Sequence, residues 1–450
     1  MKLAPYPAYK DSGDDWLGQV PNHWSVKPIK SVAMIDSCGS YGEEESSLDI
    51  DLPVATTAQI DQDGNFDVEK MPVRSFSYKD VIRYGCNDGD ILIVKSSGSA
   101  TNIISGKAGI VDTHTPKFIF SNFLLRIIPD SKIVNNRLIY SILISNLTRE
   151  RIKCMVSSTT YPNLKVDEYT SALIALPPLS EQEAIAAYLD AETAKIDALV
   201  AEQRQLVEVL KEKRQALISH TVTKGLDPSA PLKDSGIEWL GRVPEHWKVE
   251  PVMYHYHVQL GKMLDSSKIT GDHLRPYLRV FDVQWGVIST EDLPMMDFDE
   301  NARLKFRLKR GDILVNEGGS YPGRSAIWEE QIEECYYQKA LHRLRVLDHK
   351  KDISKYFYYT MIFAFNQGVF VAGGNETTIE HLPAEKIKKY RFSFPPLLEQ
   401  EAIAAYLDAA TAKIDALIRE AEEMVERMLE HRSSLISHVV TGKVRVEGVQ

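Results

Sequence analysis

Four stretches carry the side chains with most chemistry to offer. Lys95-Ser96-Ser97-Gly98-Ser99-Ala100-Thr101-Asn102 follows a Gly89-Asp90-Ile91-Leu92 turn. Asn316-Glu317-Gly318-Gly319-Ser320-Tyr321-Pro322-Gly323-Arg324 follows Gly311-Asp312-Ile313-Leu314. Farther along come Ser157-Ser158-Thr159-Thr160-Tyr161-Pro162-Asn163 and Gly373-Gly374-Asn375-Glu376-Thr377-Thr378. The candidate contacts are Lys95, Ser96, Ser97, Ser99, Thr101, Asn102, Thr159, Thr160, Tyr161 and Asn163 in the first half of the chain. In the second half they are Asn316, Ser320, Tyr321, Arg324, Asn375, Thr377 and Thr378. Such side chains bond phosphate oxygens or base edges in a major groove, and glycine lets backbone approach closely. A plain solvated loop accounts for any one of them equally well.

Other motifs reduce to structure. Pro177-Pro178 and Pro395-Pro396 resemble part of an amino-methyltransferase signature, but Leu176 and Phe394 stand where an Asn or Asp would hold the amine. His255-Tyr256-His257 lacks a third metal ligand at recognisable spacing. Asp90 and Asp312 are better explained as turn residues before strands than as nuclease carboxylates. No glycine-rich loop joins a strand to a helix as a nucleotide cradle does. Neither a catalytic residue nor a metal site is expected. Trp16, His23 and Trp24, repeated as Trp239, His246 and Trp247, are expected to pack where the chain enters each variable segment.

What positions these loops is a duplicated frame. Residues 177–225 return as 395–443 with 32 of 49 aligned positions identical, and 10–28 return as 233–251 with 13 of 19 identical. The segments between, roughly 29–176 and 252–394, show almost no mutual likeness. A repeat of this kind ranks ahead of any local signal. The duplicated tails carry a helical pattern. Steps of four and three from Ile185 pass through Leu189, Ile196, Leu199, Leu206 and Leu210, interrupted by Glu192, Gln203 and Lys213. The second copy runs through Ile403, Leu407, Ile414, Leu417, Met424 and Met428. A repeat of 3.5 residues predicts a coiled-coil seam, with the two rods antiparallel and the polar interruptions helping to set register. About 40 residues at ~1.5 Å each give a rod of roughly 60 Å. Ser180 and Glu183 predict a capping box at the first start, and Gly225 and Gly442 mark the ends.

Each variable segment reads as a mixed, strand-rich globule with a helix at Asn136–Lys153 or Ser354–Gln367. The two Gly-Asp-Ile-Leu turns imply a shared skeleton under different surfaces. The chain has 450 residues and a formal net charge of −10, which argues mildly against nucleic acid. Many of the acids lie in the repeated helices. Basic clusters occur in the second segment at Arg303–Lys305–Arg307–Lys309–Arg310 and Lys339–His342–Arg343–Arg345. The four cysteines are widely spaced, without a zinc or disulfide pattern. No apolar run approaches membrane-spanning length and the start lacks a signal-like core, so a cytoplasmic location is expected.

With PPLSEQEAIAAYLD, PPLLEQEAIAAYLD and the frame SGxxWLGxVPxHW at 12–24 and 235–247, the chain resembles the specificity subunit of type I restriction-modification enzymes. The resemblance implies an α+β fold: two mixed, strand-rich target recognition domains joined by two long antiparallel coiled-coil helices with pseudo-twofold symmetry. Residues 1–176 and 226–394 would hold the two target recognition domains, the latter with a linker. Residues 177–225 and 395–450 would be the ruler helices. It also implies partners: double-stranded DNA, two adenine-methyltransferase (modification) subunits docked on the helices, and restriction (translocase/nuclease) subunits. No cofactor is expected on this chain; S-adenosylmethionine, ATP and Mg2+ belong to the partners. A non-catalytic protein–protein adaptor is the second reading, and service in a methylase-only system the third.

Overall fold

The computed structural model describes residues 4–44, 50–61, 64–96, 98–99, 102–155, 163–263, 270–319, 321–370 and 381–446. Two compact units emerge, Met1–Gln203 with Glu423–Gln450, and Arg204–Glu422.

After a hairpin of Tyr9–Asp11 with Gln19–Pro21, the first unit continues with Ser25–Pro28 (β1), Ala33–Asp36 (β2), Ile50–Ala55 (β3) and Val73–Phe76 (β4). Helix Tyr78–Tyr84 (α1) leads to Ile91–Val94 (β5), Ala108–Ile110 (β6), Ile119–Phe120 (β7) and Leu124–Pro129 (β8). Helices Asn136–Ile144 (α2) and Asn146–Met155 (α3) and strand Leu173–Leu176 (β9) precede the long helix Leu179–Lys224 (α4). A four-stranded sheet has the order β6-β5-β8-β2, and a three-stranded one β7-β3-β4. Strands β1 and β9 pair antiparallel, so the segment's entry and exit are stitched together.

The second unit repeats this plan. Its elements are Lys248–Pro251 (β10), Tyr256–Leu260 (β11), Leu274–Leu278 (β12), Met295–Asp297 (β13), Glu300–Phe306 (α5) and Ile313–Asn316 (β14). Then follow Ser325–Ile327 (β15), Tyr336–Tyr337 (β16), Leu341–Val346 (β17), Ser354–Asn366 (α6), Arg391–Phe394 (β18) and Leu397–Val440 (α7). The sheets run β15-β14-β17-β11 and β16-β12-β13, matching the first unit strand for strand, and β10 pairs β18 as β1 pairs β9. Even a close backbone approach recurs. A Cβ on Gly39 would stand 2.2 Å from the Phe120 carbonyl oxygen, and one on Gly261 2.2 Å from that of Gln338. The shared skeleton implied by two Gly-Asp-Ile-Leu turns thus extends over whole sheets.

Three local expectations change. The helix expected over 136–153 is two helices, because Ser145 takes an extended conformation. Its hydroxyl donates to the Ile142 carbonyl at 2.7 Å. Ser180 is not a cap. Helix α4 begins at Leu179, and the Pro178 carbonyl takes the first amides, those of Glu181 and Gln182. The glycine stops hold, with Gly225 and Gly442 at φ 75° and 69°.

The third change concerns the helix seam. In the first unit Ile185, Leu189 and Val200 of α4 are buried, as are Ile436, Val439 and Val440 of α7. In the second, Val207, Leu210, Ile218 and Val222 are buried with Ile403, Leu407, Ile414 and Ala421. Within each unit the two helices run antiparallel. Advancing along α4, Arg214 bonds Asp415 at 2.8 Å, while Ile218 and Val222 share a core with Ile403 and Leu407. Leu199, Leu206, Leu417 and Met424, however, are 43–50% exposed, and Ile196 and Met428 are half-buried. Buried or half-buried positions recur every 11 residues: Ile185, Ile196, Val207 and Ile218, and again Ile403, Ile414, Val425 and Ile436. Eleven residues make three turns of about 3.67, close to an unstrained helix, so a strict 3.5 ladder rotates off the seam. Register is held by Arg214 on Asp415 and by its repeat, Arg432 on Asp197, both 2.8 Å. Glu192, Gln203 and Lys213 do not carry those bonds; Glu192 pairs with Lys195 on its own helix.

Truncating Ile403 to Ala is expected to destabilise the protein by about 2–5 kcal/mol, and Leu417 to Ala by less than ~1 kcal/mol. Urea unfolding midpoints of the two variants check this. Equal losses would restore the 3.5-residue seam.

Candidate nucleic-acid interface

The loops are positioned by a joint that forms in both units from the same residues. Glu181, buried at the start of α4, accepts from Trp24 Nε1 at 3.2 Å, His23 Nε2 at 2.8 Å and the Tyr6 hydroxyl at 2.6 Å. Burial and the neighbouring carboxylate raise the Tyr6 pKa, which keeps that hydroxyl a donor. Gln182 alongside donates to the carbonyls of Pro177 and Ile133 and accepts from the Asn135 amide. In the second unit Glu399 holds Trp247 Nε1 at 3.0 Å and His246 at 2.8 Å. Gln400 bonds Pro395, Lys351 and the Ile353 amide. The repeated Trp-His pairs are therefore packing and hydrogen-bonding elements of the frame, as expected; Trp24 and Trp247 are buried, and Trp16 is 40% exposed.

From this base each sheet sets the start of the earlier candidate loop beside the chain that follows the later one. Ser96, just after β5, forms a β-bridge with Asn163, and the Leu164 amide donates to the Lys95 carbonyl at 2.8 Å. In the second unit Gly318 bridges His381, and the Leu382 amide donates to the Glu317 carbonyl at 2.6 Å. Asn163 and His381, at or just past the ends of the later segments, thus lie beside the start of the earlier one in each unit. Lys95 is half-buried with its Nζ on the Ser37 carbonyl at 2.8 Å, so it braces the loop. The backbones of Ser99 and Asn102 face each other in a short hairpin. Asn316 is turned inward and buried, its Nδ2 3.5 Å from the Val280 carbonyl oxygen, which removes it from the surface. Ser97, Thr101, Thr159, Thr160, Tyr161, Ser320, Asn375, Thr377 and Thr378 lie outside the described residues.

Tyr321 is exposed and Arg324 lies half-buried beside it. Tyr321-Pro322-Gly323-Arg324 is a tight turn in which the Arg324 amide donates to the Tyr321 carbonyl at 3.2 Å and Gly323 has φ 89°. Pro at the second position and a left-handed Gly at the third are what a type II turn requires. The Arg324 guanidinium stacks on the Tyr321 ring at 3.9 Å and donates through Nη1 to Gln284 Oε1. The Gln284 amide is oriented by its Nε2, which donates to the Phe281 carbonyl at 2.8 Å. Phe281 itself is 63% exposed beneath Arg279, whose guanidinium lies 4.0 Å from the ring centre and pairs with Asp282 at 2.9 Å. Phe281, Arg279 and Gln284 escaped the sequence reading because an exposed aromatic breaks no pattern. An aromatic beside Arg on a predicted loop is the signal that was available.

The remaining motifs have occupied side chains. Asp312 accepts the Lys309 amide at 2.7 Å and both ends of Arg345 at 2.6 Å; Asp90 accepts the Asn87 amide at 2.9 Å and faces Arg126 at 3.6 Å. These carboxylates lock the turn to the neighbouring strand. His255 contacts Asp352 at 2.8 Å and Glu250 at 3.3 Å and stacks on Phe394, while His257 is exposed between the buried Tyr256 and Val258 of β11. Among the described residues no group of three or more His, Cys, Asp or Glu could hold a metal. Of the two basic clusters, only Arg303–Arg310 is largely at the surface. His342 and Arg343 are buried, and Arg345 is bound to Asp312.

Residues 21–209 and 287–427 match the model of the type I restriction modification DNA specificity domain. The chain belongs to this family. As a specificity subunit it is the non-catalytic component of a type I restriction-modification system. It is similar to the EcoKI specificity subunit of Escherichia coli K12, with 23% identity over 444 residues covering 96% of this chain and 91% of that one. It is 25% identical to the MjaVIII specificity subunit of Methanocaldococcus jannaschii over 369 residues, 81% of each chain. A solved chain of a type I restriction-modification system superposes with a TM-score of 0.70 at 15% identity, covering 94% of this subunit and 99% of the other. The HsdS subunit of Thermoanaerobacter tengcongensis gives 0.50 at 15% identity, with 94% and 98% covered. These likenesses bear out the α+β architecture. Among the described residues no helix is long and apolar enough to cross a membrane.

Burial pushes His342 of the specificity subunit down to about 4, against the pull of the Leu382 carbonyl, which accepts from Nε2 at 2.7 Å. Its Nδ1 is buried without a partner among the described residues, so a second proton there would have no acceptor. The folded value lies below the unfolded one, near 6.5, so stability is complete above about pH 6.5 and falls as pH drops toward 4. The loss is expected to reach up to roughly 3 kcal/mol. Urea unfolding between pH 7 and 4 checks this, with His342→Gln flattening the profile.

Proposed function

We propose that the subunit reads two unlike halves of a split, asymmetric DNA site, one through each unit. The observation that carries this is the pairing of like and unlike: identical sheet order and a repeated Glu–Trp–His joint under loops that share almost no sequence. Residues 1–176 and 226–394 serve as the two target recognition domains, and 177–225 and 395–450 as the helical frame between them. Half-sites on one face of B-DNA recur about every 34 Å. Helices of 46 and 44 residues, roughly 65–70 Å at ~1.5 Å per residue, are long enough to fix such a spacing.

The same helices offer a repeated apolar surface. Leu199 and Leu206 in one copy, and Leu417 and Met424 at the corresponding places in the other, are large side chains left open by the 11-residue seam. Two copies of one surface suit two copies of one partner, here the modification subunits. Those subunits bring S-adenosylmethionine to the target adenine, which is reached by flipping it from the stack. Restriction subunits, with ATP and Mg2+, complete the nuclease. On this chain the work is recognition and spacing.

Methylation-sensitive sequencing of cells expressing the subunit with its modification partner is expected to reveal a methylated motif in two parts with a fixed gap. A genome without such a motif contradicts the reading. Exchanging residues 29–176 for another recognition segment is expected to change one half of the motif and spare the other. Inserting four residues, about one helical turn, near Gln203 is expected to lengthen the gap with both halves intact; an unchanged gap in an active variant excludes the ruler.

A further inference from the structure

The geometry points to Arg324 as the residue that specifies a guanine in the half-site read by the second unit, with Tyr321 as its platform and Gln284 as its brace. This rests on the proposed reading of split DNA and assigns one base within it. A guanine shows two acceptors, N7 and O6, at its major-groove edge, and a planar guanidinium fork matches both. What makes such an Arg selective rather than adhesive is a fixed direction, and three features supply it. The Tyr321–Arg324 turn holds its two end residues side by side through a backbone hydrogen bond, with Gly323 in the left-handed region and its Cα close against the Phe370 ring. The Tyr321 ring fixes the plane of the guanidinium. Gln284, itself held by the Phe281 carbonyl, takes one Nη1 hydrogen and fixes rotation within that plane.

The hydrogen-bond inventory then selects the reading edge. Arg324 Nε is buried and has no partner among the described residues, so the fork through Nε and Nη2 is not open to a ligand. The end-on fork, one hydrogen from Nη1 and one from Nη2, is left. No carboxylate pairs with Arg324 among the described residues, in contrast to Arg279, Arg345 and Arg126, whose guanidinium groups pair with Asp282, Asp312 and Asp36. Arg324 is thus a charged, oriented fork whose counter-charge and acceptors come from elsewhere. A phosphate would also supply charge, yet phosphate contacts ask for no bracing, since they tolerate many approach angles.

The test uses the assembled methyltransferase, wild type and with Arg324→Gln, Arg324→Lys or Gln284→Leu, and reads the methylated motif by sequencing. The wild-type motif is expected to hold a guanine in the half that remains when residues 29–176 are exchanged. Arg324→Gln is expected to relax that one position, narrowing the preference for guanine by about tenfold or more. Arg324→Lys, which keeps charge and loses the fork, is expected to relax it too, and Gln284→Leu to do so less. The first half-site stays as it was. A second half-site without guanine overturns the assignment, as does a set of variants that methylate every sequence more slowly without changing the motif, which is the signature of a phosphate contact. In both cases a split wild-type motif leaves the broader DNA reading standing. Absence of any split motif in the wild type sinks both.

Discussion

A carboxylate at the head of each long helix, buried at Glu181 and half-buried at Glu399, is the constraint on which the rest depends. Glu181 and Glu399 would be expensive to bury alone. Each is made tolerable by an indole N–H and an imidazole from the frame that leads into the recognition segment. The neighbouring Gln182 and Gln400 fasten the segment's later loop to the same helical turn. Entry strand, exit strand and helix therefore meet at one point, and the direction in which each sheet leaves the helix is fixed by side-chain hydrogen bonds. That explains why Glu-Gln-Glu-Ala-Ile-Ala-Ala-Tyr-Leu-Asp-Ala is retained whole in both copies while the loops beyond the sheets are not.

Within each recognition segment a second charged contact does comparable work beside this joint, where the turn at Gly89 meets Asn136 and the Gly311 carbonyl accepts from Ser354. The Asp of the Gly-Asp-Ile-Leu turn ties its own strand to an Arg on the next, Asp90 facing Arg126 and Asp312 held by Arg345. The loop that follows therefore springs from a strand whose register is set. Loops built on such a base can vary in sequence without altering where they stand, which is the physical requirement for one skeleton to serve two recognition tasks.

The sequence made the duplication, the helices with their ends and the common skeleton legible, because those depend on repeated identities and on glycine and proline punctuation. It misplaced the seam. Leu199, Leu206, Leu417 and Met424 fit a 3.5-residue ladder on paper, yet Val200 and Val207 face inward. Hydrophobicity alone cannot tell neighbouring positions apart when the true period is nearer 3.67. Asn316 was misjudged because a polar residue after Ile-Leu-Val reads as the start of a loop, whereas the strand runs one residue further. Gln284 was invisible, since its meaning lies in its bond with Arg324, 40 positions away.

The division of the chain also bears on how the protein is made. The second unit is one continuous stretch, Arg204–Glu422, whereas the first needs Glu423–Gln450 to finish its core around Ile436, Val439, Val440 and Val446. During synthesis from the N-terminus domains ordinarily mature in the order in which they emerge. Here the order is inverted: the unit that leaves the ribosome first stands open, with the apolar side of Ile185 and Leu189 uncovered, until the last helix turns have been translated.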